Sequence, residues 1–457
     1  MYCDIVIIGG GAAGLMAAYG AARACAGRDS GHKSSITVLE KMPRPGRKIM
    51  ITGKGRCNFT NMKNWSDFSG HIRANSNIVR PAFYNLTPEA LIEFFRRNGM
   101  DSVIERGDRA FPVSHKSMDV VDALSDACTR AGAGIITGFE VTEISAEEKD
   151  GKTLFTIKGK NGKTVTCGKL ILATGGLSYP ATGSTGDGYR FAESLGHTLK
   201  PCFPSLTALV PKGYKTIPMP ADGGQKGHID RSTPLSDLGS SLCGIQLKNT
   251  GVKLLCNGKT VQEMEGDIDF TDGGIEGPAG FAISRNAVKT ILNGGKVQIS
   301  LDLKAGVDEE EFTARTEKLW NQVRNDPRSA GKPVRQTVKV LLGKLMPWEL
   351  IPGFLKCHPE IISGKKGHEL IKVNALVRGI RDWVFGIEGY VGFERCVITA
   401  GGVSCDEIIP KTLASRKCAG LYLCGEMLDV DADTGGYNLH IAFSTGYLAG
   451  QSAAAAL

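Results

Sequence analysis

No stretch of about 18 consecutive apolar residues occurs anywhere in the 457-residue chain, so no membrane-spanning helix and no membrane partner are expected. There are 13 cysteines but no Cys-x-x-Cys pair, so neither a zinc site nor a dithiol redox motif is signalled and no metal is expected. Scattered thiols, odd in number, suit a reducing compartment. The opening Met1-Tyr2-Cys3-Asp4 lacks the basic start of a secretory signal. A cytoplasmic location is therefore the expectation. Like charges never run to five, so the net charge of +8 reads first as a mildly basic surface. Its second reading is attraction to anionic substrates, nucleic acid included. No internal repeat is evident.

What the chain has in excess is glycine: 59 residues, clustered near the start, around 174–188 and towards the end. Clusters of this kind point to backbone that approaches a ligand closely. The first cluster has a complete setting. Asp4-Ile5-Val6-Ile7-Ile8 is an apolar, β-branched run suited to a parallel strand buried on both faces. Gly9-x-Gly11-x-x-Gly14, with Ala12 and Ala13 inside it, then opens an alanine-rich helix. A second strand, Ser35-Ile36-Thr37-Val38-Leu39, ends at Glu40 and Lys41. The first glycine permits the tight turn, the second lets backbone approach a pyrophosphate, and the third lets helix and strand pack. Glu40 follows Gly14 by 26 residues, close to the spacing of a carboxylate that binds a ribose hydroxyl. A carboxylate there would repel a 2′-phosphate, so the site suits FAD or NAD and not NADP.

Two further glycine turns decide between them. Lys169-Leu170-Ile171-Leu172 runs into Ala173-Thr174-Gly175-Gly176, and Leu421-Tyr422-Leu423-Cys424 runs into Gly425-Glu426. The latter is followed by Asp429, Asp431, Gly435-Gly436-Tyr437-Asn438-Leu439 and a small-residue helix over 442–456. Two-part flavoprotein folds return to their first domain in this way, with a helix N-terminus facing the flavin pyrimidine. FAD, tightly bound, is the expected cofactor. No second complete nicotinamide-binding unit follows, so NAD(P)H, if used, binds transiently.

The run Gly46-Arg47-Lys48-Ile49-Met50-Ile51-Thr52-Gly53-Lys54-Gly55-Arg56-Cys57-Asn58-Phe59-Thr60-Asn61 resembles a hallmark of the BaiN/YhiN-type flavoproteins, also labelled aminoacetone-oxidase-type enzymes. So do Gly183-Ser184-Thr185-Gly186-Asp187-Gly188, Gly274-Ile275-Glu276-Gly277-Pro278-Ala279, and Ile398-Thr399-Ala400-Gly401-Gly402-Val403-Ser404. The resemblance spans residues 5 to about 450. It implies a Rossmann-like FAD domain of the two-dinucleotide-binding type, with an inserted β-barrel-like domain and a small helical insert. The expected division is 1–195 for the first part of the FAD domain, 196–303 for the β-rich insert and 304–370 for the helices. Residues 371–393 return through the β-rich domain, and 394–457 complete the FAD domain.

The resemblance also implies site residues. Gly9, Gly11, Ala12, Ala13, Gly14, Glu40, Lys41, Val141, Ala173, Thr174 and Gly175 should meet the cofactor, Val141 through backbone at adenine. Lys48, Gly53, Gly55, Arg56 and Asn58 of the hallmark run are expected there too, with Arg47, Lys48 and Arg56 neutralising phosphate or an anionic substrate. Gly425, Glu426, Asp429, Asp431, Gly436, Asn438 and Leu439 should serve the ribityl chain and flavin. Three catalytic candidates stand out. Cys57 lies beside Arg56 and near Lys54, which would favour its thiolate; the plainer alternative is a packed thiol. His440 stands where the family commonly has Gln and could donate a proton or stabilise reduced flavin; it could equally belong to a structural network. Tyr437 and Tyr179 could line the pocket or simply pack. The stretch 212–238, rich in Pro, Gly and Ser, is a second departure and a place to seek the substrate.

Relatives of this kind are linked to reducing conjugated carbon–carbon double bonds in steroid-like bile acid intermediates, or a uridine of 23S ribosomal RNA to dihydrouridine. The expectation is an NAD(P)H-driven ene-type reductase. An amine (aminoacetone-type) oxidase and a non-catalytic flavin-binding, RNA-associated protein are the alternatives.

Overall fold

A computed structural model describes residues 1–26, 34–149, 151–214, 242–365 and 369–457. Most of the irregular 212–238 stretch lies outside the described residues. Backbone contacts divide the chain into two units, 1–203 with 393–457, and 204–392.

In the first unit, the apolar run predicted as a strand forms β1 (Tyr2–Ile8), with Ile5, Val6 and Ile7 fully buried. The next elements are α1 (Ala12–Ala26) and β2 (Ile36–Glu40). β3 (Gly134–Thr137), β4 (Val141–Lys149), β5 (Lys152–Gly159) and β6 (Thr164–Leu172) complete the central sheet with Leu421–Leu423. The order is β3-β2-β1-β6-β5-β4, with Leu421–Leu423 beside β6. β1 pairs in parallel with β2 and β6, setting Ile8 opposite both Leu39 and Leu172. The turn after β1, Glu40 and Ala173 therefore emerge at one carboxyl edge. The chain goes from β1 to β2 and β3 on one side and then through the antiparallel β4, β5 and β6 on the other, so β1 lies where the strand order reverses, the place where open α/β sheets bind ligands.

The helix Tyr437–Ala455, here α2, closes the unit and begins five residues before the predicted 442. Its Gly446 and Gly450 press against α1: a β-carbon on either would lie 2.1 or 2.0 Å from the carbonyl oxygen of Ala13 or Ala17. That closeness fixes the start of α2 against the phosphate loop.

In the second unit β7 (Leu209–Pro211), β8 (Gln246–Cys256), β9 (Lys259–Thr271), β10 (Gly274–Glu276), β11 (Val297–Asp302) and β12 (Trp383–Tyr390) form a closed barrel. The runs 244–248 and 252–255, predicted as two strands, are one long strand, β8, whose register with β9 shifts at 247/250. The Glu- and Lys-rich helices Glu309–Arg324 and Val334–Leu342 belong to this same unit. Among the described residues no helix is long and apolar enough to cross a membrane.

Candidate functional site

The site begins at the turn after β1. Gly9 has φ +103° and a β-carbon there would lie 2.5 Å from the Ala173 carbonyl oxygen. A β-carbon on Gly14 would lie 1.8 Å from Gly9 O, so α1 can start only on glycine at that position. Gly11 differs: nothing lies within 4 Å of its β-carbon position. It faces a cavity lined along the near side by residues 8–13 and by Glu40, Lys41, Phe139, Val141, Ala173, Thr174 and Gly175. The first turn of α1 carries no acid of its own, so its free N–H groups present positive potential.

Glu40 accepts hydrogen bonds from the Gly10 N–H (2.6 Å) and the Met42 N–H (2.7 Å), which aims its carboxylate into the phosphate turn. Cations gather around the cavity. Arg44, Arg47 and Lys48 line it from the hallmark run and its approach. Lys41 is pinned across the cavity to Asp187 (2.6 Å) and to Thr185. Burial by itself would raise the Asp187 carboxyl, but the hydrogen bond and charge of Lys41 outweigh it and hold it below the ordinary carboxylate range.

At the far end lie Glu426, Asn438, Leu439 and Ala442. Lys48 Nζ donates to Glu426 Oε2 at 2.6 Å. Asn438 turns its side chain back to Ala432, giving and taking hydrogen bonds at 2.8 and 2.9 Å, so it shapes the loop before α2.

Several predicted residues fall elsewhere. Gly14 and Gly425 act through packing, Gly425 N–H donating to Thr445 Oγ1. Gly53, Gly55, Arg56 and Asn58 do not line the cavity. Arg56 is turned to Glu105, His115 and the Phe111 ring, 4.5 Å from its guanidinium. Asp429 and Asp431 also lie off the cavity, where Asp429 receives the Asn75 amide and Asp431 O the Arg73 N–H. Gly436 caps α2, and its missing β-carbon leaves room for Thr60 O at 2.5 Å.

The three catalytic candidates do not line the cavity. Cys57 is fully buried, and burial pushes its thiol up to about 12, the setting of a packed thiol. His440 is fully buried, with Nδ1 on Thr60 Oγ1 at 2.9 Å and its ring between Phe68 and Phe83. Burial lowers its imidazole to about 3, so it is neutral and away from the cavity. Tyr437 stacks on His71 at 4.3 Å and does not line the cavity, and burial raises its phenol.

Other lining residues were missed. Ile49 and Thr52 sat inside the hallmark run, Thr182 beside and Gly183, Ser184 and Asp187 within a recognised motif, and Val397 and Ile398 at the start of another. Phe191 and Ala442 carried no local signal: only the packing of their helices brings them in.

The residues present fit FAD: an open face at Gly11, a carboxylate at the end of β2, and a paired carboxylate and ammonium beyond it. Sheet, turn and cavity are those of a Rossmann-fold flavoprotein, and its relatives make the class that of the FAD oxidoreductases. Residues 3–452 match the model of the HI0933-like protein Rossmann domain, and the chain belongs to that family. It is 31% identical over 98% of both chains to a 3-dehydro-bile acid delta(4,6)-reductase of Clostridium scindens. It is 30% identical to a ribosomal RNA dihydrouridine synthase of Haemophilus influenzae, over 98% of this chain and 97% of that one. Among solved structures, 3-ketosteroid delta1-dehydrogenase from Sterolibacterium denitrificans superposes with a TM-score of 0.51 at 14% identity, covering 100% of both chains. That likeness is one of fold.

Proposed function

We propose that the chain is an FAD-dependent ene-type reductase, driven by transiently bound NAD(P)H, which saturates an electron-poor carbon–carbon double bond conjugated to a carbonyl. The observation that carries the cofactor half of this reading is one continuous cavity from the phosphate turn to the start of α2, and the reductase half rests on the names of the relatives. FAD supplies hydride transfer when bound. Residues 9–13 and the N-terminus of α1 hold the pyrophosphate, with Arg44 and Arg47 adding positive charge. Glu40 receives ribose hydroxyls, and Phe139 and Val141 flank the adenine. Glu426 and Lys48 meet the ribityl chain. The backbone amides at the start of α2 favour negative charge on the reduced ring, and no acid in that turn opposes them. The proton that completes saturation comes from neither Cys57 nor His440, the first too weak an acid and the second too deeply buried.

One of the two relatives is named a 3-dehydro-bile acid delta(4,6)-reductase and the other a ribosomal RNA dihydrouridine synthase. A steroid-like enone and a 23S uridine are accordingly the two substrate classes. Anaerobic mixing with NADH and with NADPH should bleach the flavin; no bleaching by either would sink the donor assignment. Mass spectrometry of ribosomal RNA from a deletion strain decides the substrate. Loss of one dihydrouridine establishes the RNA, and its retention alongside turnover of a conjugated steroid enone establishes the small molecule.

A further inference from the structure

We propose that Ser178 is a positioning residue for cofactor binding: it locks the Lys48–Glu426 pair so that both groups face the polyhydroxyl stretch of FAD. The inference rests on the FAD reading of the cavity. Four segments far apart in sequence meet here. Ser178, fully buried, donates from Oγ to Glu426 Oε1 at 2.6 Å and accepts from Lys48 Nζ. Lys48 also donates to Glu426 Oε2 at 2.6 Å. Carboxylate, ammonium and hydroxyl thus form a closed ring in which the serine both gives and takes a hydrogen bond. The Thr399 N–H donates to the same Oε1 at 3.0 Å. Thr399 Oγ1 in turn accepts from the N–H groups of Leu177 and Ser178 at 2.8 and 3.1 Å.

Gly176 gives a separate indication that the setting is built around the carboxylate. A β-carbon there would lie 2.5 Å from Thr399 Oγ1 and 3.1 Å from Glu426 Oε1. Backbone is therefore packed directly on the ring. The chemistry follows from the pair's composition. A carboxylate beside an ammonium is an acceptor beside a donor with no net charge, and it matches neighbouring hydroxyls, each of which both donates and accepts. Unsupported, such a pair has many rotamers, and ordering them on binding costs affinity. Ser178 and Thr399 remove that freedom beforehand.

The test is a double-mutant cycle on FAD affinity, read by recovery of free-flavin fluorescence and by the visible spectrum of bound flavin. S178A should raise the Kd about tenfold, the effect of losing the hydroxyl that gives a hydrogen bond to Glu426 and takes one from Lys48. In an E426A background the same change should cost clearly less, about threefold, because of the two groups it positions only Lys48 remains. Apo-protein melting temperatures separate folding from binding. If S178A does not fold, S178C, similar in size and a weak donor, should give an intermediate loss that also shrinks with E426A. An unchanged Kd in S178A, or an equal loss in both backgrounds, overturns the proposal while leaving the cofactor reading intact. Failure of the wild-type chain to take up FAD overturns both.

Discussion

Two glycine-rich turns of the first unit look alike in sequence and behave differently in the fold. The turn after β1 presents Gly9, Gly11, Ala12 and Ala13 to the cavity. The turn within the hallmark run reaches the cavity only as far as Thr52, and its Gly53, Gly55, Arg56 and Asn58 do not line it. The first turn is gripped by its neighbours, since β-carbons on Gly9 and Gly14 would strike backbone. Around Gly55 there is open space, and the turn is shaped instead by left-handed backbone at Gly53, Lys54, Gly55 and Cys57. Glycine in the first case is required by what touches it. In the second it is required by its own dihedral angles.

The widest gap between the turns should appear on adding one methyl group. Gly14→Ala puts a β-carbon 1.8 Å from Gly9 O and must part α1 from β1. FAD binding should weaken by more than about a hundredfold, or the protein should fail to accumulate. Gly55→Ala, at φ +86° in open space, should cost only about 1 kcal/mol in stability and leave FAD affinity within about threefold. Titration with FAD and chemical denaturation check both, and equal losses would erase the distinction.

The same contrast explains how much of the molecule is legible in its sequence. β1, β2, Glu40 and the order strand–glycine turn–helix follow from local periodicity and spacing, because each signal lies within a few residues of the structure it specifies. The barrel was legible as short alternating strands and as a barrel-like insert, though not its pairings, since the partners of Leu209 are Ile275 and Tyr390, far along the chain. Least legible were residues that the sequence assigns to the site and the fold turns away from the cavity. Arg56 looked like a phosphate ligand until Glu105, His115 and Phe111 claimed it. His440 looked like a helix-start catalyst, and the ring of Phe68, Phe83 and Thr60 that neutralises it comes from three other segments.

His440 provides the next largest effect. Burial lowers its imidazole to about 3, whereas the unfolded chain titrates near the ordinary value of about 6.5. Below that value the unfolded state binds a proton that the native state refuses, so stability is full above about pH 6.5 and falls as pH drops towards about 3. His440→Gln should remove a large part of that fall, on the order of a few kcal/mol at about pH 4. Some slope remains, because burial also lowers His197 against the opposing pull of Glu407. Urea midpoints measured from neutral pH down to about pH 4 test it; parallel curves for variant and parent would refute it.

Cys57 distinguishes packing from chemistry in the second turn. Cys57→Ala should cost about 1–2 kcal/mol for the lost buried atom. Turnover and its pH profile should stay within about twofold, because a thiol held up to about 12 donates no useful proton near neutrality. A roughly hundredfold slowing of turnover with FAD still bound would restore the catalytic reading.

The smallest expected effect lies at the rim of the first turn, where Lys41 reaches Asp187 across the cavity. Side-chain exposures of 22% and 32% leave the pair open to screening, so it contributes to retention of cofactor more than to folding. Asp187→Asn should speed FAD release about threefold at low salt, and the difference should shrink as ionic strength rises. Because Lys41 holds the Asp187 carboxyl below its ordinary range, the clasp persists above the usual carboxylate pKa and loosens only as pH falls through the lowered one. Release from the parent protein should then accelerate towards that of the variant. If the two rates stay apart at high salt, Asp187 acts through the start of its helix, Asp187–Ser194, and not through the ion pair.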